Sequence, residues 1–309
     1  MTTLKLGTRG SQLAVWQARQ VAWRIKEEFP DINIQIYTVR TKGDKILDVA
    51  LSKIGDKGLF TKEIEKELLS GNIDIAVHSM KDLPSVLERG LTLGAVLKRE
   101  NPQDVLVSAR RYKFDSLPEG AVIGTSSLRR TAQIKAARPD INVVDIRGNV
   151  ETRIRKMMEN DLDAIVVAYA GVKRLNLETY ISDYLPYEIM LPAVGQGAIA
   201  VECREGDQKV LRILKRINDQ ATMAEVRAER AFMRTLEGGC QMPVGALARS
   251  LEGKLVLEGL IASLDGRMVY RDKMEGSIDY PEELGIKLAQ KLLKEGGEKI
   301  WQDIKWQGN

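Results

Sequence analysis

The feature that most constrains this chain is an alternation repeated from its first residues: a short β-branched or Leu-rich run, a polar turn, then a segment of helical period. "LKLG" at 4–7 leads through "TRGS" into a helical pattern near 11–29, whose Leu13, Ala14, Ala18, Val21, Ala22, Ile25 and Phe29 share one face. "INIQIYTV", "DIAVHS" at 74–79 and "LTLGAVL" read as further strands. A second run follows in the same style, with "AVIG" at 121–124, "NVVDI" at 142–146 and "DAIVVAYA" at 163–170. Strands that alternate with helices predict open, largely parallel α/β sheets.

Two Pro- and Gly-marked crossings, "KRENPQDV" at 98–105 and "LPAVGQGAIAVECR" at 191–204, separate the two runs. The chain is therefore expected to leave a first lobe, build a second and return, with a cleft between hinged lobes. The expected boundaries are 1–97 with 198–215 for lobe one, 98–197 for lobe two and 216–309 for a small C-terminal α+β domain. That domain reads as the helix "ATMAEVRAERAFMRTLEGG", three strands and a closing helix at 281–295. The segment 41–60, rich in Lys, Asp and Gly, suits either a mobile lid or a solvated loop without a role.

Lys and Arg total 47 against 43 Asp and Glu, so a net charge of +4 selects no partner by bulk electrostatics. Only 5% of residues are aromatic, and no basic run interleaves with stacking residues, which argues against nucleic acid. "AIVVAYAGV" is too short to span a bilayer, and "MTTLKLGTRG" lacks a secretory apolar core, so no membrane partner is expected and the expected location is the cytoplasm. Nothing suggests more than a monomer. Two cysteines and one histidine are too few for the usual zinc clusters, and no metal is expected. Cys203 lies in an alternating strand and reads as a small buried residue, whereas Cys240 sits between a glycine pair and Pro243.

In open α/β sheets ligands bind beyond the carboxyl ends of the strands. Thr8, Arg9, Gly10 and Ser11 follow the first strand, Thr125 to Arg130 follow "AVIG", and Arg147 follows "NVVDI" with Arg153 in the next helix. Hydroxyls, backbone N–H groups and arginines at helix starts suit carboxylate or phosphate. Each turn alone is equally an ordinary helix cap; their repetition at three strand ends favours a polyanionic ligand. Asp82 in "VHSMKDLPS" either offsets positive charge developing on a substrate or caps the turn before Pro84. His78, the only histidine, is more often in such a place a hydrogen-bonded core residue than a base. Cys240 has no evident partnering base, which suits a thiol that reacts once and keeps what it captures, or a loop cysteine of no consequence.

Taken in order, "LGTRGSQLA", "KGLFTKEIE", "DIAVHSMKDLP", "GTSSLRR", "DIRGNVETR", "LPAVGQGA" and "LEGGCQMPVG" run essentially from end to end, and the chain resembles the porphobilinogen deaminase (hydroxymethylbilane synthase) family. The resemblance implies two lobes like those of periplasmic binding proteins, with mainly parallel sheets around a cleft, and a small C-terminal domain. It implies a transferase that joins four porphobilinogens head to tail into hydroxymethylbilane, each losing ammonia, on a dipyrromethane cofactor attached through a thioether to Cys240. Carried over residue by residue, Asp82 is the catalytic anion. Lys81, Thr125, Ser127, Arg129, Arg130 and Arg147 hold the cofactor. Arg9, Ser11, Arg147, Arg153 and Arg174 bind substrate, and Lys53, Lys57 and Phe60 belong to the family's mobile loop. Met242 and Asp56 depart mildly from the family's expected valine and glycine. The competing expectation from the residues alone is a non-enzymatic two-lobed protein that binds a small anion.

Overall fold

A computed structural model describes residues 3–45, 58, 60–236 and 242–307. The described chain forms two compact units, one of residues 3–45, 58, 60–100 and 197–223, the other of 101–196, 224–236 and 242–307.

In unit one, strand β1 (Thr3–Arg9) runs parallel to β2 (Asn33–Val39) on one side and β3 (Ile75–Ser79) on the other. Strand β10 (Ile199–Arg204) then pairs antiparallel with both β3 and β4 (Leu91–Val96), giving the order β2-β1-β3-β10-β4. Helix α1 (Gln12–Glu28) packs Ala18, Val21 and Ile25 on Leu4, Leu6, Ile75 and Val77, joined by Val210, Ile213 and Leu214 of α7 (Gln208–Ile217). The other face is covered by α3 (Lys62–Leu69), whose Ile64 and Leu68 meet Ile73, Ala76 and Leu91. A single turn of helix, α2 (Lys42–Lys45), follows β2.

Unit two contains a sheet of the same plan, β7 (Asn142–Val144), β6 (Val122–Gly124), β8 (Ala164–Ala168), β5 (Asp104–Val107) and β9 (Ile181–Tyr184) in that order. Here β5 is the strand antiparallel to both neighbours. Helices α4 (Leu128–Ala137), α5 (Val150–Glu159) and α6 (Tyr169–Arg174) follow β6, β7 and β8. In each sheet four strands point one way and the fifth runs against them, so the expected parallel character holds in direction, while half of the adjacent pairs are antiparallel. The exceptions have a cause: β10 follows a long excursion and β5 precedes an irregular segment, so neither belongs to a strand-helix-strand crossover that would dictate its direction.

Three antiparallel strands, β11 (Val244–Leu251), β12 (Lys254–Ala262) and β13 (Val269–Ser277), carry the rest of unit two together with α8 (Gln220–Thr235), α9 (Pro281–Leu292) and α10 (Glu298–Gln307). Phe232, Leu257, Leu284 and Leu288 fill its core. This sheet and the five-stranded one belong to one unit because the β12–β13 turn presses on α4: a Cβ at Gly266, which has φ +73°, would lie 2.4 Å from the Ala132 carbonyl oxygen. Only glycine tolerates both that backbone and that approach.

Candidate functional site

The site in unit one begins at the carboxyl ends of β1 and β3. Thr8, fully buried, donates its hydroxyl to the carbonyls of Ala14 and Val77 at 3.2 and 3.3 Å, tying the turn after β1 to α1 and β3. Ser11 caps α1 by accepting from the Ala14 N–H at 3.3 Å, as the ordinary helix-cap alternative expects. The turn aims Arg9 across the Phe60 ring, with the guanidinium carbon 4.2 Å from the ring centroid. Phe60 in turn lies against Gly43, where a Cβ would be 2.2 Å from the ring.

After β3 the chain makes a short 3₁₀ turn, Met80–Asp82, that leaves Lys81 and Asp82 exposed while Met80 is buried. Arg9, Ser11, Gln17, Phe60, His78, Ser79 and Asp82 line one open hollow. Gln17, only 2% exposed, donates to the Ser79 hydroxyl at 2.9 Å, so the floor is polar but tied down. The Asp82 carboxylate makes no hydrogen bond or ion pair with any described residue. A turn-capping role would have engaged it.

Unit two gathers arginines. Arg129 and Arg130 open α4 behind Ser127, whose backbone N–H donates to the Thr125 hydroxyl at 3.2 Å. Both guanidiniums are 5% exposed and both reach Asp104, the fully buried first residue of β5, at 2.8 and 2.6 Å. Each also donates to a carbonyl, Arg129 to Leu191 at 2.7 Å and Arg130 to Val166 at 2.8 Å. Burial pushes the Arg129 guanidinium down, with Asp104 opposing that and Arg130 adding to it. Nε of both arginines is buried without an acceptor among the described residues. Two cations on one carboxylate, with orphaned donors, suit a further anion, as a carboxylate-bearing cofactor would supply. Arg153 donates from Nε to the Gly148 carbonyl at 2.9 Å; Arg147 is half-buried, and Arg174 is 8% exposed at the end of α6.

Lys53, Lys57 and Cys240 lie outside the described residues. The other thiol is settled: Cys203 is fully buried in β10, and burial pushes it up to about 12, which leaves it inert. Asp104 was not anticipated as a site residue, because "KRENPQDV" reads as a crossing; the only signal was "DVLV", a four-residue apolar run opening on an acid. Gln17 was hidden on the apolar face of α1.

An exposed acid and an arginine lining one hollow at the strand ends of one α/β sheet, and a buried arginine pair at the head of a helix on another, place the chain among α/β proteins whose strand ends suit anions. Comparison with known proteins narrows this. Residues 4–212 match the model of the dipyromethane cofactor binding domain of porphobilinogen deaminase, and residues 223–294 match that of its C-terminal domain. The porphobilinogen deaminase of Syntrophomonas wolfei subsp. wolfei is 61% identical over 97% of this chain and 98% of its own length. That of Carboxydothermus hydrogenoformans is 55% identical over 98% of each. A solved periplasmic VFT2 domain of Bordetella pertussis BvgS aligns with 70% of this chain and 86% of its own at 15% identity and TM-score 0.43. The chain belongs to the porphobilinogen deaminase family.

Proposed function

We propose that this chain deaminates four porphobilinogen molecules and condenses them head to tail into hydroxymethylbilane, with Asp82 as the catalytic carboxylate. The observation that carries the role of Asp82 is its disengagement from the fold: it lines the same hollow as Arg9 and Ser11 and has no described partner to neutralise it. As ammonia leaves the aminomethylpyrrole, positive charge spreads over the ring and its nitrogen. A carboxylate already in place stabilises that charge without reorganising at the moment of reaction.

The dipyrromethane cofactor, when bound, supplies the terminal pyrrole carbon on which the chain of rings begins. Lys81, Thr125, Ser127, Arg129, Arg130 and Arg147 would hold its carboxylates, and Arg9, Ser11, Arg147, Arg153 and Arg174 those of the substrate. The arginine pair fits this use because its cationic excess is fixed in place before any ligand arrives. Cys240, in the motif "LEGGCQMPVG" shared with the family, would carry the covalent link, and the buried Cys203 does not compete for that role. Phe60, stacked on Arg9 at the hollow, would border the bound substrate.

The same reading assigns a cytoplasmic monomer that handles small molecules rather than nucleic acid or membranes. It is supported by a free Cys203, by low aromatic content, and by the finding that no helix among the described residues is long and apolar enough to cross a membrane. Mass spectrometry of untreated protein is the direct test. The intact mass is expected above that of the bare chain by one dipyrromethane, and the excess is expected to vanish in Cys240→Ser. A bare-chain mass in active protein overturns the assignment.

A further inference from the structure

Leu191, fully buried, is the residue at which the arginine pair meets the rest of unit two. Its backbone N–H donates to Gln133 Oε1 at 2.8 Å, and its carbonyl accepts from Gln133 Nε2 at 3.1 Å. A carboxamide that takes both backbone groups of one residue pairs with it as a neighbouring strand would. Gln133, 3% exposed, stands one turn beyond Arg129 in α4 and shares its face, and the same Leu191 carbonyl accepts from Arg129 Nη1 at 2.7 Å. The other terminal nitrogen, Nη2, is the one paired with Asp104 at 2.8 Å. The guanidinium is thus held at two corners, and one of its two anchors is itself held by Gln133. The opposite side of this segment carries β11: the Pro192 carbonyl accepts from the Ala246 N–H at 3.0 Å, and a Cβ at Gly245 would lie 3.0 Å from the Leu191 carbonyl oxygen. Strand β11 is the one that follows Cys240 in "LEGGCQMPVG".

We propose that Gln133 is a positioning residue for Arg129: it fixes the Leu191 carbonyl, and through that carbonyl the plane of the guanidinium relative to β11. The inference rests on the function proposed above, in which Arg129 holds a carboxylate of a cofactor attached to Cys240. An ion pair with Asp104 alone leaves a guanidinium free to swing about one contact. A second, fixed acceptor sets its plane, and with it the direction of Nε, which has no acceptor among the described residues. Gln133 itself is committed elsewhere: Nε2 serves the Leu191 and Arg129 carbonyls and the Met190 sulfur, and Oε1 serves the Leu191 N–H. It therefore acts through Leu191 and Arg129 rather than by touching a ligand.

A double-mutant cycle separates this role from a structural one, because a residue that acts through Arg129 has nothing left to act on once Arg129 is changed. Gln133→Met keeps length and volume and removes the clamp; Arg129→Lys keeps a cation that cannot span both Asp104 and the Leu191 carbonyl. The holoproteins are assayed for kcat/KM with porphobilinogen, and intact mass gives the loaded fraction so that rates are per loaded molecule. Gln133→Met is expected to lose about 5- to 20-fold, near the low end of the worth of a hydrogen bond to a charged group. The double variant is expected within about twofold of Arg129→Lys alone. Losses that multiply, or Gln133→Met within twofold of wild type, overturn the proposal; a purely structural glutamine would multiply. Gln133→Glu supplies a second reading, and the whole cycle if Gln133→Met does not fold. It keeps an acceptor for the Leu191 N–H and loses only the donor to the carbonyl, so it is expected to fall as far as Gln133→Met, and a wild-type rate in it overturns the role of the carbonyl. Failure of wild-type protein to turn over porphobilinogen would instead remove the function on which the inference rests.

Discussion

Unit one and unit two each bury acidic side chains, and they use them in opposite ways. Asp104 of unit two is an anion clamped by two guanidiniums and a glutamine, Gln196 donating at 3.0 Å. Glu65 of unit one faces no arginine or lysine that would offset its burial, and burial raises its carboxyl above the ordinary range. Asp82, the carboxylate left for chemistry, is neither buried nor clamped. Desolvation is thus met in unit two by fixed countercharge, whereas in unit one it is left uncompensated at Glu65 and shows as a raised carboxyl, while Asp82 stays exposed.

The sharpest way to break this contrast is Asp104→Asn, which leaves two buried guanidiniums facing a neutral amide. Unpairing a buried charge costs about 3–5 kcal/mol, so urea unfolding should show a loss of that size. A loss below about 1 kcal/mol would mean that water reaches the pair and that Asp104 is no clamp. Asp82→Asn should do the reverse, leaving the unfolding midpoint unchanged while kcat falls about 10²- to 10³-fold, the usual cost of removing one preorganised electrostatic group. Near-normal turnover would remove Asp82 from the central role.

The parts of this contrast legible in the sequence are those carried by local pattern. Helix α1, read as 11–29, spans Gln12–Glu28, and the strands of both runs stand where alternation put them. Strands β5 and β9 were missed: four residues long and buried or edge-paired, they lack a period that distinguishes them from loop. The arginines of "GTSSLRR" were identifiable as anion ligands from helix-start chemistry, but their burial was not, because it depends on Asp104, 25 residues before Arg129 in the chain. The clamp of Gln133 on Leu191 is likewise a matter of packing across 58 residues, which no local spacing encodes.

A subtler test addresses the raised carboxyl of Glu65. A carboxyl whose folded value is raised releases its proton from the unfolded chain first, so as pH rises through the ordinary range, 4.5 for this group, folding loses stability relative to acid conditions. Glu65→Gln removes that penalty. The variant should be more stable than wild type at neutral pH, by a Tm shift of order 2 °C, and the advantage should shrink toward pH 4. A variant that is less stable at neutral pH would show that the fold favours the Glu65 carboxylate, and the contrast with Asp104 would collapse.

The smallest effect concerns the exposed site itself. Phe60 holds its place over Arg9 because Gly43 leaves room for the ring, and a methyl at Gly43, 2.2 Å from the nearest ring atom, forces the ring to move. A half-buried cation–π contact of this kind is worth about 1 kcal/mol. Gly43→Ala should therefore raise KM about two- to fivefold if Phe60 orients Arg9 for the substrate's carboxylates, with kcat little changed because Asp82 is untouched. Phe60→Leu in the same assay separates the ring from the helix: it should reproduce the KM change if the stacking matters. If Gly43→Ala raises KM and Phe60→Leu does not, the effect belongs to the backbone of α2, and Arg9 is oriented by the β1 turn alone.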